Sequence, residues 1–202
     1  MWLFDVSMQH KVFSGYPRWA DNYWVHTRVM RLFGDLDGKD DVRERAGILY
    51  RIEPGIGTGR VLVQSNCRVE DSNIRSKKLE YMLEGMRPGQ LVGLRVKLNP
   101  VRTVNRTENG VTKTRREPLN PESIVPWFTS AIQRALGDLV VDQVESDVEL
   151  QRSVPIAVVT IDASATVVNT DALISLVGTG LGRAKAFGCG MLSIRPLPSP
   201  HL

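Results

Sequence analysis

The sequence predicts an α+β protein built from two tandem ferredoxin-like (βαββαβ) units with antiparallel sheets. Three observations carry that prediction. Between Trp2 and Leu98, runs of period-two apolar alternation and helix-like stretches follow one another in the order βαββαβ. From Asn99 the pattern restarts and can be read in the same order, with its first strand in or near a basic hairpin. A glycine-rich loop, Gly178 to Gly190, then feeds a last strand close to the C-terminus. The expected units are residues 1–98 and 99–202. No sequence identity links the halves, so the duplication is read from element order alone.

In the first unit, Trp2, Phe4, Val6 and Met8 alternate with Leu3, Asp5 and Ser7, an imperfect strand pattern. After a loop to Ala20, Asp21 or Asn22 caps a helix running to about Phe33, with Val25, Val29, Leu32 and Phe33 on one side and Gly34 as its stop. Ile48, Tyr50 and Ile52 alternate with Leu49, Arg51 and Glu53. Turn residues from Pro54 to Gly59 and a second strand at Val61 to Gln64 complete a hairpin. Ile74 to Met86 is a weaker helical stretch, with Ile74, Lys78, Met82 and Met86 at steps of four, ended by Pro88-Gly89. Gln90 to Leu98 sets Val92, Leu94, Val96 and Leu98 on one face and closes the unit.

In the second unit, Val101 to Val104 and Val111 to Thr114 flank Asn109-Gly110, the strongest short-range hairpin signal. Asn120-Pro121 opens a helix whose apolar face is Ile124, Trp127, Phe128, Ala131, Ile132, Ala135 and Leu136. Strand-like runs follow at Leu139 to Val148 and Val154 to Ile161, with a short strand or edge at Thr166 to Val168. Asp171 to Val177, capped by Thr170, is a short helix before the glycine loop.

Composition narrows the class. No run of some 18 apolar residues is present, and Met1 to Ser7 lacks the basic start of a signal peptide, so a cytosolic protein is expected. Cys67 and Cys189 fit no metal-ligand spacing and read as ordinary thiols. The net charge of +4 is unevenly spread: Arg95 to Arg116 holds seven basic residues against Glu108, leaving the remainder at −2. A basic stripe on a mildly acidic body is the footprint of a polyanion binder, although a solvated charged hairpin has the same composition.

The glycine loop favours close backbone approach to an anion, and Arg183 and Lys185 add charge to it. It is not a dinucleotide fingerprint, because only a strand's worth of chain follows, and no Gly-Lys-Ser/Thr occurs at Walker spacing. The same glycines could instead form a tight connection between packed elements. Of the three histidines, His201 is next to last and His10 lies in a loop, whereas His26 stands on the first helix with Tyr23 one turn before it. At about 100° per residue Tyr23 and His26 lie about 60° apart, and Arg31 projects roughly 80° to Tyr23's other side. The trio suits metal-free RNA cleavage: histidine moves a proton near neutral pH, tyrosine orients or donates, and arginine supports the phosphorane's charge. The alternative is that Tyr23 and His26 merely border the helix's apolar face. Asp35, Asp37, Asp40 and Asp41 read as a solvated loop, so neither a metal nor another cofactor is expected.

The motif Gly182-Arg183-Ala184-Lys185-Ala186-Phe187-Gly188-Cys189-Gly190-Met191-Leu192-Ser193 resembles the glycine-rich signature of CRISPR RNA-processing endoribonucleases, and among those is most similar to the CasE subunit of Cascade-type complexes. Asn22-Tyr23-x-x-His26, Leu49 to Pro54 and Leu94 to Pro100 extend the resemblance over both halves. It implies two ferredoxin-like domains, Tyr23 and His26 as catalytic residues, Arg31 where relatives can carry a supporting lysine, and Gly34 where they can carry serine. It further implies cleavage at the base of a repeat stem-loop, and a protein, monomeric outside the complex, that stays bound to the guide RNA among the other subunits. Recognition of an A-form stem is shape-led. The expected RNA contacts are Arg28, Arg102, Arg106, Lys113, Arg115 and Arg116, together with Gly180, Gly182, Arg183 and Lys185 of the loop. Two rivals share parts of this pattern: a guide-RNA cradle that does not cut, and a ferredoxin-like interaction domain with no RNA role.

Overall fold

The computed structural model describes residues 1–15, 21–34, 42–53, 59–108, 111–152 and 154–198. The acidic cluster at Asp35, Asp37, Asp40 and Asp41, the Pro54 to Thr58 turn, the Asn109-Gly110 turn and His201 lie outside the described residues. In chain order the elements are β1 (Trp2–Ser7), α1 (Asn22–Arg31), α2 (Val42–Arg45), β2 (Leu49–Glu53), β3 (Arg60–Ser65), β4 (Arg75–Lys78), α3 (Glu80–Glu84) and β5 (Leu91–Leu98). Then come β6 (Val101–Glu108), β7 (Val111–Pro118), α4 (Pro121–Ile132), β8 (Leu136–Gln151), β9 (Val154–Val167), α5 (Thr170–Thr179) and β10 (Ser193–Pro196), with a 3-10 turn at Lys185–Phe187.

Two antiparallel four-stranded sheets form, ordered β2-β3-β1-β4 and β10-β5-β9-β8. Numbered within each unit, both read 4-1-3-2 or its reverse, the ferredoxin-like order. The first core gathers Phe4, Val6, Val25, Val29, Ile48, Tyr50, Val61 and Val63, so the buried stripe of α1 lies on β1 to β3. The second gathers β5, β9, α4 and α5 through Val96, Leu98, Phe128, Ile132, Ile161, Ala165, Leu173 and Val177.

Three strand assignments differ from the sequence reading. The expected helix from Ile74 to Met86 begins instead as β4, whose exposed Arg75 to Lys78 pair antiparallel with β1 from Asp5 back to Trp2. Its four-residue spacing included Lys78, too weak an apolar stripe to compete with ladder bonds that β1's open edge offers. Only Glu80–Glu84 is helical. Second, β5 belongs to the second sheet, between β9 and β10. Alternation showed that one face of this strand is buried, not which sheet buries it. A division that keeps both sheets whole therefore falls between Lys78 and Leu91 and not after Leu98. Third, β6 and β7 pair only with each other, as an insertion between β5 and α4. The first strand of the second unit is β5.

Candidate functional site

The site is assembled where α1 meets the second unit. Asp21 caps α1 by accepting the Tyr23 backbone N–H at 2.9 Å, and the same Oδ1 accepts the Arg152 N–H at 3.1 Å. Arg152 sits at the β8–β9 turn with φ +47°, and its guanidinium stacks 4.1 Å above the Tyr23 ring centroid. The buried Asn22 amide donates to Glu149 Oε2 at 2.7 Å, fixing the helix start to β8 a second time. One turn on, the His26 ring lies with its centroid 6.5 Å from that of Tyr23 and 6.3 Å from that of Phe187. Phe187 closes the 3-10 turn of the glycine motif. The sequence-predicted pair is thus brought together, and the motif that resembles CasE packs directly on it.

Burial first, and then the positive charge of Arg43, lower the His26 pKa from its ordinary value. Its Nδ1 is buried and has no hydrogen-bond partner among the described residues. The lowered pKa favours the neutral imidazole, which can move a proton near neutral pH. Burial and Arg43 also lower the Lys185 pKa, with Glu44 opposing them, while Nζ donates to the Thr179 carbonyl at 2.8 Å.

The basic hairpin has two faces. The pairs Arg102↔Glu117, Val104↔Arg115 and Arg106↔Lys113 project to one side, and Thr103↔Arg116 and Asn105↔Thr114 to the other. On the first side Glu117 partly neutralises the stripe, at 2.6 Å from Arg106 and 3.8 Å from Arg102. On the second, Arg183 Nη2 donates to Thr103 Oγ1 at 2.9 Å, tying the glycine loop to the hairpin. That side opens onto a cleft of about 600 Å³ lined by Arg43, Arg116, Gly182, Arg183, Lys185 and Phe187, among others.

The expected loop glycines separate in the same way. Gly182 is exposed at φ +73° on the cleft wall. Gly180 is buried and capping α5, where an added Cβ would come within 2.7 Å of Leu49 Cδ1 and 2.8 Å of the Gly190 carbonyl. Gly180 therefore serves packing between the two units rather than ligand approach. Arg28 lies over the Trp24 ring at 5.2 Å. Arg31 is exposed at the end of α1, five residues and therefore about 140° round the helix from His26. Sequence reasoning missed Arg43, Arg152 and Phe187. Phe187 lay inside the quoted motif, whereas Arg43 stands in the mixed-charge run Val42-Arg43-Glu44-Arg45 and Arg152 at a hairpin tip, and neither position carries a local signal.

The family described as CRISPR associated protein matches residues 1–196. The Cascade subunit CasE of Escherichia coli (strain K12) is 31% identical over 138 residues, spanning 61% of this chain and 66% of that protein, just under two thirds of its length. The crystal structure of Cas6e from Escherichia coli K-12 covers 98% of this chain and 100% of its own at 24% identity, with a TM-score of 0.68. Thermus thermophilus Cse3 bound to an RNA representing a pre-cleavage complex gives 0.70 at 23% identity, covering 96% of this chain and 98% of its own. The structural likeness agrees with the paired ferredoxin-like sheets.

Proposed function

We propose a function from the premise that this chain belongs to the CRISPR-associated protein family, in its CasE branch: a metal-independent endoribonuclease that binds the stem-loop of a repeat transcript and cuts at the base of the stem. The observation that carries it is the packing of His26, itself beside Tyr23, on Phe187, which lines a cleft together with four cations from three separate segments. In the reaction the 2′-hydroxyl loses its proton and its oxygen bonds to the adjacent phosphorus. The bond from phosphorus to the 5′-oxygen breaks and that oxygen takes up a proton. The products are a 2′,3′-cyclic phosphate, or the phosphate once water opens it, and a 5′-hydroxyl end.

His26 transfers a proton, as acid or as base, and Tyr23, held under Arg152, orients it or passes the proton on. Arg116, Arg183 and Lys185 bind the RNA backbone across the cleft. Arg102, Arg106, Lys113 and Arg115 meet the stem from the hairpin's other face, and Arg28 and Arg31 meet phosphates flanking the cut. The protein keeps its product and acts in the cytosol as a subunit of a Cascade-type complex, as the name of its CasE relative suggests. Among the described residues no helix is long and apolar enough to cross a membrane.

The test is cleavage of a labelled repeat-hairpin RNA in excess EDTA, wild type beside His26→Ala, with binding followed in the same samples. Loss of a proton-transfer group lowers the rate by about 10²–10⁴-fold while binding persists. Tight binding with no cleavage by either protein would make the chain a guide-RNA cradle and the Tyr23–His26 pair packing.

A further inference from the structure

We propose that Arg43 is the cation that holds the scissile phosphate, the role that the sequence assigned to Arg31. The inference deepens the nuclease reading and rests on it. Arg43 stands on the four-residue α2, and its half-buried guanidinium is anchored by Nη1 donating to the Ile48 carbonyl at 3.1 Å. The backbone closes the same turn, with the Ile48 N–H donating to the Arg43 carbonyl at 2.9 Å. The side chain is thus tied at its root and near its tip. From that anchor it lines the cleft with Arg116, Arg183, Lys185 and Phe187, and Phe187 touches His26. Phe187 therefore stands between the proton-transfer group and the cleft that holds this pre-positioned planar cation. Arg31, exposed and about 140° round the helix from His26, is not among the residues lining that cleft.

Charge and geometry favour Arg43 over its neighbours in the cleft. The phosphorane carries one more negative charge than the diester, and a guanidinium fork can meet two of its non-bridging oxygens at once. Lys185 donates to Thr179, and Arg183 to Thr103 on the hairpin, which suits both to backbone gripping. The field of Arg43 also reaches Lys185, which lines the cleft, and His26 and Tyr50 outside it. Holding an arginine near His26 keeps the imidazole neutral before RNA arrives. A bound phosphate offsets that cation, and the imidazole can then accept a proton more readily.

The alternative is that Arg43 only pins the turn before β2. Single-turnover cleavage in EDTA separates the two, using wild type, Arg43→Ala, Arg43→Lys and Arg31→Ala. Binding is measured on the same RNA with a 2′-deoxy nucleotide at the cut, and thermal unfolding is followed for each variant. Arg43→Ala is expected to lose about 10²-fold or more at saturating protein, against a smaller loss in binding, and Arg31→Ala about tenfold at most. Arg43→Lys keeps the charge and a donor for Ile48 but not the fork, so it falls between. Millimolar guanidinium should restore part of the Arg43→Ala rate, which a merely structural loss would not show. If Arg43→Ala unfolds in the assay, Arg43→Lys carries the test: a folded variant cleaving at the wild-type rate overturns the proposal. Wild-type cleavage by Arg43→Ala, or a loss that tracks unfolding without guanidinium recovery, overturns it too and leaves the nuclease reading standing. No cleavage by wild type overturns both.

Discussion

Two grooves of nearly equal size flank the second sheet, one of about 590 Å³ and one of about 600 Å³, and their linings differ in kind. The first lies in the seam between the units and balances Arg51, Arg95 and Lys97 against Glu53, Glu145, Asp147 and Glu149. The second sets Arg43, Arg116, Arg183 and Lys185 together, with no carboxylate among the described residues that line it. In the seam the charges answer one another. Arg51, only 3% exposed, donates from Nη1 to the carbonyls of Arg95 and Met191, each at 3.1 Å, from Nη2 to Ser193 Oγ at 3.0 Å and from Nε to Glu53 at 2.7 Å. Arg95 in turn is held by both oxygens of Asp162. A groove whose cations are already matched has nothing left for a polyanion, whereas one of unmatched cations attracts it. The difference supports the proposal that the basic groove is the RNA side, with the balanced one a joint between the units.

The largest effect should come from the joint. Arg51→Met removes a buried cation and leaves two carbonyls and the Glu53 carboxylate short of donors, at a cost of about 3–5 kcal/mol in chemical denaturation. Thermal unfolding should show the loss as one cooperative transition at lower temperature, because Arg51 joins β2 to β5 and to the segment entering β10. Retention of wild-type stability would show that the seam's polar network contributes nothing. Arg43, eight residues earlier, differs from Arg51 only in where the fold puts it, and so the same change there is predicted to strike cleavage.

That pair shows what was legible in the sequence. Alternation and capping read α1, β2 and β5 as local elements, and placed the start and buried face of α4 while running its end past Ile132 into Leu136, the first residue of β8, because face and period are local properties and an element's end is not. The sheet that β5 joins depends on which edges remain open after β1, β3 and β4 pair, and no local pattern encodes that. The site divides the same way. Tyr23 and His26 are neighbours on one helix, so spacing alone placed them together. Arg43 and Arg152 reach the site from a short helix and from the end of a 16-residue strand, and only the assembled fold brings them there.

An intermediate effect tests the two ends of the glycine loop. At Gly180 the backbone has φ +68° and ψ +169°, a region open essentially to glycine, and a Cβ would strike Leu49 and the Gly190 carbonyl. Gly180→Ala should cost about 1–3 kcal/mol in denaturant unfolding. Gly182 has φ +73°, but a Cβ there would make only ordinary contacts, the nearest with Trp127 at 3.5 Å, so Gly182→Ala carries the conformational cost of about 1–2 kcal/mol alone. If Gly182→Ala proved the more destabilising, the division of the loop into a packing end and a ligand end would be wrong.

The smallest effect concerns His26 and runs through pH. In the unfolded chain its imidazole titrates near the ordinary 6.5, while in the fold burial and Arg43 hold it lower. Between those two values the unfolded chain binds a proton that the folded one refuses, so stability rises with pH there. The contribution is whole above pH 6.5 and is lost as pH falls from there through the lowered folded value. Denaturation midpoints of wild type and His26→Gln, compared from pH 7.5 down to pH 5, should therefore diverge on the acid side, with the variant falling less. Arg43→Lys should leave most of that divergence in place, since it keeps the charge, whereas Arg43→Ala should reduce it by removing the second cause. A wild type and a His26→Gln that decline in parallel would mean that His26 is as solvated as any surface histidine, and the proposed proton-transfer role would lose the buried setting that lowers its pKa.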